Sequence, residues 1–273
     1  MNLQSLYKAA ASYPKSALMP VLFVGHGSPM NALQDNAFTR SLHQLRARLE
    51  PPKAIVVISA HWQTRGTFVT TNQRPKTIHD FGGFPQALFD MQYPAPGAPD
   101  LAQDLMAHVH DVHGAADWGL DHGTWTILHH LYPEATIPVV QLSLDATKPP
   151  AWHFAFARQL QYLRERGVLI LGSGNIVHNL QLSMPKFQTG DATPYDWATE
   201  FDAWVKNHLD RRDFAGLVDY RQAGSSGALA VPTLDHYLPM LYATGLARPT
   251  ETLTHTFEDV NFGGMSMRAF QVG

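Results

Sequence analysis

Cysteine is missing from all 273 residues. Its absence excludes disulfides, thiolate metal sites and a cysteine nucleophile, so nitrogen and oxygen must hold any bound metal. Long apolar runs are missing too. No stretch nears the roughly 18 residues that a bilayer span needs, and the first sixteen residues carry no signal-type apolar segment. Charge of one sign is nowhere concentrated: the formal net charge is −3, from 20 Lys and Arg against 23 Asp and Glu. A nucleic-acid footprint would need a basic stripe, and there is none. No Ser/Gly linker, internal repeat or low-complexity segment divides the chain, and its length fits one α/β domain. These absences describe a cytoplasmic protein, a single domain over residues 1–273, with neither nucleic acid nor membrane as partner.

What is present is an ordinary hydrophobic content of 45%, enough for a sizeable core, and a wealth of histidine, 15 residues. Three of the histidines each follow an apolar, β-branched run. The run 21–24 precedes Gly25-His26, the run 54–58 precedes Ser59-Ala60-His61, and the run 168–171 leads through Gly172 and Asn175 to His178. Such runs read as buried strands of a parallel sheet. In open α/β sheets ligands bind beyond the carboxyl ends of the strands. Imidazoles placed there converge on one crevice although they are distant in sequence.

Periodicity predicts further strands over 66–71, 137–144, 253–257 and 266–272. It predicts helices over 35–49, 98–112, 121–132, 148–166, 197–209 and 234–243. Segment 75–99 has no clear period, and its aromatics Phe81, Phe84, Phe89 and Tyr93 mark it as an ordered wall or lid. The fold class is α/β, a single domain with a central, largely parallel or mixed sheet flanked by helices.

Each singled-out histidine also has a plainer reading. His26 stands between two glycines, either as a turn residue bonded to nearby backbone or as a ligand given room by them. His61, beside Trp62, is a packed strand-end residue or the partner of His26. His178 is a helix-start residue, a ligand, or a general acid/base that titrates near neutral pH. His236 lies near a helix start beside Asp235, which is either a cap or the true ligand. Asp121 reads as the cap of the helix that His122 opens. His43, His108, His110, His113, His129, His130, His153 and His208 fall in or next to helices among polar neighbours and read mostly as solvated. His255 is in a late strand, and His79 belongs to the aromatic loop.

Competing motifs fail. Ser28 and Ser173 lie near glycines but not in G-x-S-x-G. Gly172-Ser173-Gly174 lacks the rest of a dinucleotide fingerprint or a P-loop, and there is no H-E-x-x-H. A nitrogen-rich mononuclear site remains, of the kind found in Fe(II) oxygenases and zinc hydrolases.

Six blocks in order carry a family likeness: Gly25-His26-Gly27-Ser28-Pro29-Met30-Asn31, Ser59-Ala60-His61-Trp62, the segment from Ile78-His79-Asp80 to Pro85, Asp121-His122-Gly123-Thr124-Trp125, Gly174-Asn175-Ile176-Val177-His178-Asn179-Leu180, and Pro232-Thr233-Leu234-Asp235-His236-Tyr237. They resemble the class III extradiol ring-cleaving dioxygenases, and within them the 4,5-DOPA extradiol dioxygenase branch with its bacterial members. The blocks run from about residue 20 to 240. The resemblance implies that His26 and His61 are metal ligands and that His236 is the third, where the protocatechuate-cleaving relatives carry a glutamate. It implies one divalent metal per chain, Zn(2+) or Fe(2+). His178 would be the acid/base or a fourth ligand, and His122 a second catalytic histidine near substrate and oxygen. Trp62, Phe84 and Trp125 either line the ring pocket or are aromatic core packing, the second reading being at least as strong for each. The implied partners are a small catechol and O2, and the implied reaction is 4,5-cleavage of a DOPA-like catechol to a seco-DOPA that cyclises to betalamic acid. The rival readings are a zinc-dependent hydrolase on the same scaffold and a non-catalytic metal-binding scaffold protein. The oligomeric state is unknown from sequence.

Overall fold

The structure, a computed structural model, describes residues 16–273. Nearly all of the N-terminal segment read above as lacking a signal-type run lies outside the described residues. A mixed sheet of eight strands runs through the molecule in the order β4-β3-β5-β2-β6-β1-β10-β7. Its members are β1 (Val21–Gly25), β2 (Ala54–Thr64), β3 (Thr67–Thr70), β4 (Val112–Ala115), β5 (Val139–Asp145), β6 (Val168–Gly174), β7 (Leu253–Phe257) and β10 (Ala269–Val272). A separate two-stranded hairpin joins β8 (Val260–Asn261) to β9 (Met265–Ser266). The four central strands β5, β2, β6 and β1 are parallel. Antiparallel β10 and β7 finish one edge, and the β3–β5 contact is antiparallel on the other side.

β1, β5 and β6 are buried at every position, and β2 over Ala54–Ala60, because helices cover both faces. Alternation of side chains splits the apolar residues into two layers. Val21, Phe23, Val56, Ile58 and Ile170 belong to one, with Phe156 and Leu241 from the helices Pro150–Ala157 and Leu238–Gly245. Leu22, Val24, Ile55, Val57 and Leu171 belong to the other, with Leu42 and Leu128 from the helices Ala37–Arg46 and His122–Leu131.

Several expectations need correction. β2 does not end at Ser59 but runs to Thr64, so His61 and Trp62 sit on the strand itself. Its pairing with β5 shifts register between Ile58 and Gln63, which lets this stretch leave the ladder and turn His61 toward the crevice. The helix read over 148–166 is broken by a 3-10 turn at Arg158–Leu160. The helix read over 98–112 stops at His108, and Val112 opens β4. The last helix starts at Leu238 rather than near 234, which puts His236 in the preceding turn. His130 and His153 are buried, not solvated. No helix among the described residues is long and apolar enough to cross a membrane.

Candidate metal centre

His26 follows β1, and its backbone N–H donates to the Gly174 carbonyl at 3.0 Å, tying it to the end of β6. Gly27 takes a left-handed φ of 63°, and a Cβ there would lie 2.4 Å from Met267 Sδ. Both facts require glycine. His61 arrives from the displaced stretch of β2. His122 is the first residue of the helix His122–Leu131, capped by the Asp121 side chain, which accepts from the Thr124 N–H. Gly123, next in that helix, has no room for a side chain: a Cβ would lie 2.6 Å from Ser59 Oγ and 3.3 Å from His26 Nδ1. His178 donates its backbone N–H to Ala230 O at 3.0 Å, and its neighbour Asn179 caps the helix Leu180–Thr189. The His236 carbonyl accepts the Asn175 N–H at 2.9 Å. Parts of the chain 210 residues apart are thereby fastened to the carboxyl ends of β1, β2 and β6.

The five imidazoles form one cluster. His26 and His61 ring centroids are 4.9 Å apart, His61 and His236 4.9 Å, and His26 and His236 5.3 Å. His61 and His122 lie at 3.9 Å. His178 stacks on His236 at 3.4 Å, nearly parallel.

Hydrogen bonds behind the rings decide where their protons sit. Ser173 Oγ donates its single proton to the Gly123 carbonyl at 2.5 Å. The 3.0 Å contact between Ser173 Oγ and His26 Nδ1 must then be donated by Nδ1. His236 Nδ1 faces the Asp235 carboxylate at 2.6 Å, and His61 Nδ1 faces Asp80 Oδ2 at 3.4 Å. His26 and His236 are thereby protonated at Nδ1 and turn an Nε2 lone pair inward, and the His61 ring turns its Nδ1 toward Asp80. Outer partners of this kind fix the tautomer of metal-ligating histidines. His26 Nε2 and His61 Nε2 approach to 3.1 Å, and buried His236 Nε2 has no hydrogen-bond partner. Converging lone pairs repel unless a cation lies among them, so the site has the donor set of a divalent metal. The three rings form a group whose donor atoms lie within 4.8 Å of one another.

Burial and the neighbouring imidazoles hold His26 and His236 well below the ordinary histidine pKa. Burial and His122 bring His61 to about 3 despite Asp80, and burial brings His178 to about 4. Rings kept neutral are the form that binds metal. Asp80 links the ligand set to His122: Oδ1 lies 3.0 Å from His122 Nδ1 and accepts the His122 backbone N–H at 2.9 Å. Burial opposes its charge, but the His122 hydrogen bond and the two rings bring it to about 2. Behind it, Asp121 accepts from Ser59 Oγ at 2.7 Å and Gln141 Nε2 at 2.6 Å, and burial raises its pKa.

The cluster forms the floor of a cavity of about 730 Å³. Phe84 lines its wall, along with Phe81, Met184 and Phe187. Trp62 and Trp125 are not among the lining residues. Trp62 is buried and stacks on Trp118 at 5.6 Å, and Trp125 is fully buried with its indole N–H donated to Ile78 O. Both rings are core, where large apolar area is best spent. Asp235 is placed as the outer partner of His236 and belongs to no potential ligand group among the described residues. Sequence reasoning missed Asp80 and Ser173. The only signals were an acid inside the aromatic loop and a serine at the end of a buried strand.

Compared with known proteins, residues 20–269 match the family described as the catalytic LigB subunit of aromatic ring-opening dioxygenase. The chain is 48% identical to a 4,5-DOPA dioxygenase extradiol of Escherichia coli K12, over 94% of this chain and 96% of that one. It is 37% identical to a protein of the same name from Beta vulgaris, over 82% and 85% of the two chains. An uncharacterized protein of Escherichia coli K12 with a crystal structure superposes with a TM-score of 0.82 at 44% identity, covering 93% of this chain and all of that one.

Proposed function

The chain belongs to the family of the catalytic LigB subunit of aromatic ring-opening dioxygenase, and from that premise we propose that it is a metal-dependent extradiol dioxygenase acting on a DOPA-like catechol. The proposed reaction is 4,5-cleavage to a seco-DOPA, with both atoms of O2 entering the product, followed by cyclisation to betalamic acid. Residues 1–273 act in this reading as one catalytic unit. The observation that carries it is the convergence of His26, His61 and His236, whose donor atoms lie within 4.8 Å of one another, with Nδ1 of His26 and of His236 held outward.

His26, His61 and His236 would hold the metal, Fe(2+) in the redox-active enzyme. A divalent metal bound there supplies a Lewis acid for the catechol oxygens and, as iron, an electron path to O2 that zinc lacks. The protein supplies the rest. His178 is neutral and beside His236, so it takes a proton from a catechol hydroxyl on a ring nitrogen and returns it to the product. His122 turns its Nδ1 toward Asp80 Oδ1 at 3.0 Å, which leaves Nε2 to orient substrate or oxygen. Phe81 and Phe84 flank the ring's position and exclude water.

The test pairs elemental analysis of freshly purified protein with oxygen uptake on L-DOPA after anaerobic Fe(2+) loading. Oxygen consumption with a yellow product is expected. One tightly held zinc, no oxygen uptake and turnover without O2 would favour the zinc hydrolase instead.

A further inference from the structure

The principal cavity, about 730 Å³, is larger than a lone catechol ring requires, so its outer walls meet whatever the ring carries. Those walls are apolar, with Phe84, Met184, Phe187, Phe262 and Met265 prominent. Among the described residues neither Lys nor Arg lines it, and its one carboxylate, Asp80, is committed to His61 and His122.

A second cavity of about 420 Å³ adjoins the first and shares Ser28, Met30, Phe187, Phe262 and Met265 with it. Beyond that shared wall its lining is mixed: Phe38, Phe257 and Met267 are apolar, and the rest is largely carboxamide. Asn31, Gln34, Asn36 and Asn261 bring carboxamides, and Asp259 brings the single formal charge. Again neither Lys nor Arg lines it among the described residues. Asp259 Oδ1 accepts the Val260 N–H at 2.9 Å, and among the described residues the Asp259 carboxylate takes part in no salt bridge within 4 Å. Arg268 lines the next cavity along, which Asp259 lines as well, and its guanidinium is already held by Asp202 and Glu258.

We propose that the second cavity receives the tail of the catechol, that the preferred tail ends in an amine, and that tails ending in a carboxylate alone are rejected. This deepens the catechol-cleavage reading and rests on it. An ammonium reaching past the apolar wall meets the Asp259 carboxylate and the Asn261 carboxamide, while the carboxamide oxygens of Asn31, Gln34 and Asn36 already accept from their neighbours. A carboxylate in the same place gives up its hydration to apolar walls and faces a like charge with no cation in reach. An amino acid such as DOPA carries both groups and falls between the two.

Two readouts test this on the full chain. The first is kcat/KM of Fe(2+)-loaded protein for dopamine, DOPA and 3,4-dihydroxyphenylpropionate. The second is calorimetric binding of dopamine and of that acid to zinc-loaded protein, which does not turn them over. Dopamine is expected to exceed the acid by several-fold in both, the scale of a charge contact with the exposed, solvent-screened Asp259 carboxylate. Asp259→Lys is expected to shrink that ratio several-fold, and Asp259→Asn to shrink it less. A ratio of one or below in the wild type overturns the proposal. A ratio that survives Asp259→Lys removes the tail from the second cavity and overturns it as well. If no catechol is cleaved, the dioxygenase reading falls, while the binding ratio still decides what the cavity accepts.

Discussion

His236 and His153 invite comparison because both are buried, and burial presses both below the ordinary histidine pKa. His153 sits in the helix Pro150–Ala157, its Nδ1 3.0 Å from the Tyr242 hydroxyl, near the backbone of Asp145. His236 sits in a turn with a carboxylate behind it and two other imidazoles in front. One is a core residue that happens to be titratable. The other is ligand-ready. Neither burial nor a depressed pKa separates them. The separation lies in an outward Nδ1 partner that fixes the tautomer, combined with other Nε2 atoms converging on the same point.

The strongest way to break this contrast is to remove the convergence. His26→Ala, His61→Ala or His236→Ala should abolish stoichiometric metal binding and ring cleavage together, as read by elemental analysis and oxygen uptake. A variant that keeps its metal takes that residue off the ligand list. His178→Ala should separate the two properties: the metal stays, while kcat falls by roughly 10²–10⁴-fold, the usual worth of a positioned acid/base. Loss of metal in that variant would make His178 a fourth ligand. Removing the outward partners comes next. Asp235→Asn and Asp80→Asn should each weaken metal affinity by about 10–100-fold in a competition titration with a chelator. Unchanged affinity would mean that tautomer control is not what distinguishes His236 from His153.

The smallest effect lies on the core side. His153 has a pKa of about 4 in the fold against 6.5 unfolded, so the unfolded chain binds the extra proton between those values. Its contribution is full above pH 6.5 and is lost as pH falls toward 4. In the metal-free protein, His153→Phe should leave less acid destabilisation in that window, by at most about 1.4 kcal/mol per pH unit. Urea melts at several pH values measure this. Metal content and kcat of the loaded variant should match wild type, and a metal deficit would place His153 in the site after all.

The legible part of the molecule was the part governed by local pattern. Continuous apolar runs marked β1, β2 and β6, and the strand-end rule placed His26, His61 and His178 together before any contact was known. His236 and His122 came from the family likeness, because nothing in their local pattern sets a ligand apart from a helix-start histidine. Asp80 was out of reach for another reason: its two partners are 19 and 42 residues away, and the loop that carries it has no period to read. The far end of β2 was invisible because a register shift is a property of the pair, not of the strand. Trp62 and Trp125 were assigned to the pocket by their neighbourhood in sequence. Alternation along β2 sends Trp62 to the side opposite His61, and Trp125, one turn into its helix, is fully buried with its indole N–H donated to Ile78 O. Short helices such as Leu180–Thr189, which carries Pro185 inside it, defeat propensity rules that treat proline as a stop.

The position of β1 has a consequence for how the protein comes to be made. It is the first strand of the sheet in chain order, yet its neighbours are β6 and β10, which begin at residues 168 and 269. A chain growing on the ribosome carries β1 for most of its synthesis with neither flank covered. His26 at its end therefore waits for β6 to bring Ser173, and the ligand set waits further for His236. In the proposed reading metal capture would be an event of the nearly finished chain, and a chain stalled before residue 236 would hold two of the three proposed ligands without the third.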